Sequence, residues 1–132
     1  MSKLSLSAAF AAYGAKAKNP RWSWSARSPD GKTVVLALWQ EGFSGKPMRY
    51  DGRAQDPTKA PWQATPGNRE RIENLIWAND HCEGRFRIVF LKRDKRFDHP
   101  WRIEEPFVSE NLWMKIMYLD RETGDFTAEA IP

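Results

Sequence analysis

The stretch Trp22-Ser-Trp-Ser-Ala-Arg27, Ser28-Pro-Asp-Gly31 and Thr33-Val-Val-Leu-Ala-Leu-Trp39 decides most of the fold. Strict alternation over 22–27 puts Trp22, Trp24 and Ala26 on one face of a strand and Ser23, Ser25 and Arg27 on the other. Ser28-Pro29-Asp30-Gly31 reads as a turn, because proline presets one dihedral and glycine accepts a positive φ. Residues 33–39 are β-branched and apolar on both faces, the pattern of a central strand covered on both sides. The whole predicts a β-hairpin over 22–39.

Upstream, Leu6, Phe10 and Tyr13 at i, i+4 and i+7 give residues 4–13 the stripe of an amphipathic helix, with Gly14 placed to end it. Lys16, Lys18 and Arg21 surround Asn19-Pro20 in a basic connecting turn. Downstream, residues 42–64 hold Gly42, Gly45, Pro47, Gly52, Pro57 and Pro61 among Lys46, Arg49, Arg53 and Lys59. That composition predicts a long irregular loop, with one short strand over 48–50.

A second helix opens at Thr65-Pro-Gly-Asn68, capped by Thr65 or Asn68. Ile72, Leu75 and Ile76 form its expected buried stripe, with Cys82 in register and Gly84 at the end. Residues 85–92 alternate as a strand, Phe86, Ile88 and Phe90 against Arg87, Val89 and Leu91. A short strand is expected near 101–104, and residues 112–119 and 126–131 flank a hairpin turn.

This order predicts one α+β domain over 1–132, with two helices and a mixed or mainly antiparallel sheet that can curl into a partly closed barrel. With aromatic residues and a basic rim, such a barrel resembles in architecture, not in motif, the PUA-like readers of modified bases. The resemblance implies a pocket for an exposed base.

Composition narrows the class. Hydrophobic residues make up 41%, enough for one core, and no apolar run is long enough to span a bilayer. The N-terminus lacks the apolar stretch of a secretory signal, and the single Cys82 forms no internal disulfide. A cytoplasmic protein without membrane partners is the expectation. Net charge is +4, unevenly spread: residues 1–59 hold ten Lys/Arg against four Asp/Glu, residues 100–132 three against seven. A positive face concentrates polyanions. Seven tryptophans are more than a chain this short needs to fill a core.

Several chemistries lack their residues. His81, Cys82 and His99 have no paired spacing that would supply four zinc ligands, so no metal is assigned. Cys82 falls at a helix C-terminus, where the dipole opposes a thiolate. Glu104 and Glu105 are strand neighbours that face opposite ways, and Asp120, Glu122 and Asp125 sit in a turn that explains them. Gly42-Phe-Ser-Gly45 lacks the Gly-Lys-Ser/Thr ending of a phosphate loop. No catalytic residue and no cofactor are assigned.

Cations interleaved with rings remain, near 16–24, 46–53 and 85–97. Phosphates call for mobile cations and unstacked bases for flat rings, a stacked base contributing roughly 1–3 kcal/mol. The leading expectation is a DNA- or RNA-binding module. Arg21, Arg27, Arg49, Arg53, Arg93 and Arg96 would hold the backbone. Trp22, Trp24 and Trp62 would supply rings, with Ser23, Ser25 and Asn68 as hydrogen-bonding partners. The alternative is a protein-interaction module, a homodimer or partner-binding surface rich in tryptophan. A third reading is a small hydrolase whose carboxylates meet only on folding.

Overall fold

A computed structural model describes residues 5–16, 24–46, 48–51, 66–93, 103–109, 111–121 and 125–131. Within them the chain runs α1 (Leu6–Ala11), β1 (Ser25–Arg27), β2 (Val34–Trp39), a 3-10 turn (Gln40–Gly42), β3 (Phe43–Ser44), β4 (Arg49–Asp51), α2 (Pro66–His81), β5 (Arg85–Arg93), β6 (Ile103–Val108), β7 (Trp113–Leu119) and β8 (Phe126–Ile131). The architecture is mixed α+β, with eight described strands in an open sheet and two described helices.

The hairpin forms as its sequence dictates. β1 runs antiparallel to β2, with Ser25 opposite Leu36 and Arg27 opposite Val34. The turn closes through Ser28 N–H to the Thr33 carbonyl at 2.9 Å, and Gly31 takes φ +73°. β2 is buried from Val34 to Leu38 because a helix covers each face. Val34, Leu36 and Leu38 pack with Leu75 and Ala78 of α2, while Val35 and Ala37 pack with Ala9 and Phe10 of α1.

β2 also pairs with β5, in parallel, Val35 opposite Arg87 through Trp39 opposite Leu91. Parallel neighbours need a long crossover, and α2 lies within this one. β5 carries the expected alternation: Phe86, Ile88 and Phe90 join the core on the α2 side, and Val89 and Leu91 the core on the α1 side. Ser5 caps α1 by accepting from Ala8 N–H at 3.0 Å. Tyr13 ties α1 down, its hydroxyl donating to the Ile88 carbonyl at 2.8 Å and accepting from Ser109 N–H at 2.9 Å.

Part of the expected loop is regular. β3 and β4 form a small hairpin, Phe43 opposite Tyr50, with Gly45 at φ +83° in its turn. Gly42 is required there, since a side-chain carbon would collide with the Tyr50 ring. The remainder of that loop, 52–65, lies outside the described residues. At the other end of the chain β7 and β8 pair as expected, with a bulge at Met117.

The strand order is β1-β2-β5-β7-β8-β4-β3, and β6 also pairs with β5. Arg85 and Phe86 of β5 face β7, whereas Val89 to Arg93 face β6, so the sheet forks along one strand. It curls about α2 without closing. Arg71 of α2 has its guanidinium carbon 6.0 Å from the Trp24 ring at the start of β1 and 5.8 Å from the Phe126 ring of β8. The described strands stay open where a partly closed barrel was an expectation: β1 and β3 end the path unpaired with each other, and α2 packs against β1, β2 and β5.

The second helix departs from the sequence reading. Its buried positions are Glu70, Arg71, Asn74, Leu75 and Ala78; Ile72 and Ile76 are only half-buried. The C-terminal half of its inner face is apolar and the N-terminal half polar. No helix among the described residues is long and apolar enough to cross a membrane.

Candidate functional site

The polar half of α2 meets β1 at a small cavity of about 200 Å³, lined by Lys16, Ser25, Ala26, Arg27, Ser28, Glu70 and Asn74. Alternation along β1 explains half of this wall. Ala26 points into the α1-side core, so its neighbours Ser25 and Arg27 turn toward α2. Lys16 joins from outside, its N–H reaching the Arg27 carbonyl at 3.4 Å in a single bridge that extends the sheet edge.

Asn74 organises the floor. Its Oδ1 accepts from Arg27 Nε at 3.2 Å and Nη2 at 3.0 Å, and its Nδ2 donates to Ser25 Oγ at 2.7 Å. Both ends of the amide are therefore committed. Arg27 is further held by the Trp77 ring, 4.1 Å from its guanidinium carbon. Trp77 in turn donates its indole N–H to the Gly31 carbonyl at 2.7 Å, clamping the hairpin turn onto α2. Inside that turn Asp30 accepts from Ser28 Oγ at 2.6 Å and Lys32 N–H at 3.0 Å, and these bonds hold its carboxyl below the usual range.

Glu70 stands apart from this network. The residue is 6% exposed, and both carboxylate oxygens are shielded from solvent without a hydrogen-bond partner. Its neighbour Arg71 faces the other way, toward the rings of Trp24 and Phe126. Burial pushes the Arg71 guanidinium below its ordinary value, against the pull of Tyr50 and Asp125. Burial likewise pushes the Tyr50 hydroxyl up. Trp24, 41% exposed, precedes β1; its ring lies 6.0 Å from the Arg71 guanidinium carbon and is not among the cavity-lining residues.

The other expected site residues separate. Arg49 lies on β4, exposed, with Nε 3.1 Å from Glu129 of β8. It borders a second, shallower groove of about 390 Å³ with Ser44, Asp51, Met117 and Thr127. Ser25, read as a hydrogen-bonding partner for a ligand, is fully buried and engaged by Asn74. Asn68 falls in α2 and Arg93 ends β5, with their side chains outside the described set. Arg21, Trp22, Ser23, Arg53, Trp62 and Arg96 also lie outside the described residues. Arg87, from the third basic stretch, is sandwiched between the Tyr13 and Trp113 rings at 4.7 and 4.5 Å.

Cys82 offers its thiol to the Gly31 carbonyl at 3.5 Å, and burial pushes that thiol up. Among the described residues no group of three or more His, Cys, Asp or Glu could hold a metal ion. Sequence reasoning passed over Glu70 and Asn74. Their i, i+4 spacing, which puts them on one face of the helix, is the sequence signal that could have joined them. Comparison of the chain with known protein families, with curated proteins and with solved structures finds no match.

Proposed function

We propose that the protein is a nucleic-acid-binding module whose cavity between β1 and α2 receives an exposed base. The observation that carries this reading is a small polar cavity walled by Lys16 and Arg27, with the buried Glu70 among its lining residues. Its volume is below the roughly 300–1,000 Å³ of sites for drug-sized ligands, which suits one base better than a larger molecule. Lys16 is exposed and free to meet a phosphate, and in the sequence Lys18, Arg21 and Trp22 fall between Lys16 and Trp24. The PUA-like comparison belongs to the same reading: a sheet curled about α2, with a base admitted at the open seam between β1 and the helix.

Fluorescence anisotropy with labelled single- and double-stranded DNA and RNA, at low and moderate salt, tests it. Affinity should fall linearly with salt on a log–log scale. Lys16→Glu should weaken binding to every sequence and flatten that slope by about one unit. Trp24→Ala should weaken single-stranded binding by roughly 1–3 kcal/mol with little change in thermal midpoint. An absence of binding at low salt refutes the proposal.

A second reading has its own observation. Met117, bulged out of β7 and 62% exposed, lies beside the half-exposed Tyr118 and the Arg49 groove. Exposed apolar and aromatic side chains together mark contact surfaces. A concentration-dependent dimer in sedimentation velocity that Met117→Lys dissolves would favour a protein-interaction module.

A further inference from the structure

Resting on that nucleic-acid reading, we propose that Glu70 makes the cavity selective for guanine, accepting hydrogen bonds from the base's N1–H and N2 amino group. An ionised carboxylate is acceptor-only, with two oxygens that together take several donors. Leaving both unmet away from water is costly, and buried polar groups are normally paired. Glu70 is 6% exposed, has no partner for either oxygen, and forms part of the cavity wall. Both oxygens are shielded from solvent, so a rotation about the Glu70 side-chain bonds must accompany binding for the carboxylate to reach a ligand in the cavity.

The remaining wall fixes what that ligand must look like. Asn74 accepts twice from Arg27 at Oδ1 and donates once to Ser25 from Nδ2, so its acceptor is filled and one amide N–H is left. Among the described lining residues, the wholly unmet side-chain acceptors are the two Glu70 oxygens, and donor capacity lies in the Lys16 ammonium, the Arg27 guanidinium and that second Asn74 N–H. A matching ligand presents two adjacent donors with an acceptor beside them. The Watson–Crick edge of guanine has that order: N2 amino, N1–H, then O6. Adenine alternates donor and acceptor, cytosine has one donor followed by two acceptors, and uracil or thymine has a single donor between two acceptors. Of the common bases guanine alone satisfies both carboxylate oxygens while giving a cation its acceptor.

The test needs no variant at first. Labelled single-stranded oligonucleotides carrying one central guanine, hypoxanthine or adenine in a thymine context are titrated against the wild-type protein. Hypoxanthine keeps N1–H and O6 but lacks the N2 amino group, so it isolates one predicted bond. Guanine should be preferred over both by on the order of 10- to 100-fold, the discrimination expected of a bidentate pair. Glu70→Gln, which replaces one acceptor by a donor, should erase the preference for guanine over hypoxanthine and adenine. Guanosine and inosine monophosphates form a parallel arm that separates a free nucleotide from a base within a strand. A preference seen only with the mononucleotides would keep the Glu70 assignment and overturn the nucleic-acid reading. Equal binding to all three oligonucleotides would overturn the guanine assignment and leave the nucleic-acid reading standing. No binding to any oligonucleotide or mononucleotide would overturn both.

Discussion

Asn74 is the residue whose removal should cost the most for its size. Its Nδ2 donates to Ser25 Oγ at 2.7 Å with both groups buried, and its Oδ1 takes two bonds from Arg27. Asn74→Ala loses the buried bond, worth about 1 kcal/mol net, and orphans a fully buried hydroxyl at a further ~1–3 kcal/mol. The Arg27 bonds are partly exposed and add on the order of 0.5 kcal/mol, since solvent screens them. A loss of about 3 kcal/mol follows, which with a urea m-value of ~1–3 kcal/mol/M lowers the midpoint by roughly 1–3 M at unchanged m. The decisive measurement is the double-mutant cycle with Ser25→Ala. Each single substitution strands a buried polar partner, whereas the double removes both, so the double should be less unstable than the sum by about 1–2 kcal/mol. Additivity within ~0.5 kcal/mol would show that the two groups do not meet, and the site geometry built on them would fall with it.

Gly31→Ala should destabilise more than Gly14→Ala. Both glycines have φ near +74°, but a side-chain carbon at Gly31 would stand 2.9 Å from the Trp77 ring and at Gly14 would meet nothing within 4 Å. Thermal melts should show a loss of ~1 kcal/mol at Gly14 from backbone strain alone and a clearly larger one at Gly31. Tyr50 is pushed up by burial, so its contribution to stability is whole below the unfolded value near 10 and is lost as pH rises through the folded one. Tyr50→Phe should flatten that alkaline limb in melts from pH 8 to 11. Asp30 is held low by Ser28, so its contribution is present above the unfolded value of 3.8 and disappears as pH falls through the folded one. Asp30→Asn should be the less pH-sensitive protein between pH 2 and 4. Cys82, pushed up by burial, should react with a thiol reagent at neutral pH more slowly than free cysteine until denaturant is added.

Elements whose signals are local were legible. The 22–39 hairpin, the alternation of β5 and the terminal hairpin each rest on side-chain periodicity and turn residues within a few positions of one another. What escaped depends on partners far along the chain. The parallel pairing of β2 with β5 has no sequence signature of its own, and β3 with β4 hides in a stretch dominated by glycine and proline. The same limit governed the site. Arg27 and Ser25 were noticed because they alternate with Trp24 and Ala26, but their meeting with Asn74 joins residues 47 and 49 positions apart.

The inner face of α2 shows why hydropathy misled there. Ile72 and Ile76 attract the eye, yet the helix turns Glu70, Arg71 and Asn74 inward and leaves both isoleucines half-buried. A helix chosen for stability alone would rotate its aliphatic residues into that space, since burying them contributes roughly 1.5–3 kcal/mol each. Two constraints hold it in place: Leu75 and Ala78 must fill the core under β2 and β5, and Trp77 must reach the Gly31 carbonyl. With those positions set, 3.6 residues per turn carry 71, 74 and 78 to the same side, and polar residues occupy it only at a cost in desolvation. Asn74 recovers that cost through Ser25 and Arg27, and Arg71 is ringed by aromatic faces. Glu70 recovers it nowhere within the described chain. Departures from local consistency of this kind concentrate where a protein meets a ligand, and that places the weight of the functional argument on the carboxylate at the cavity wall.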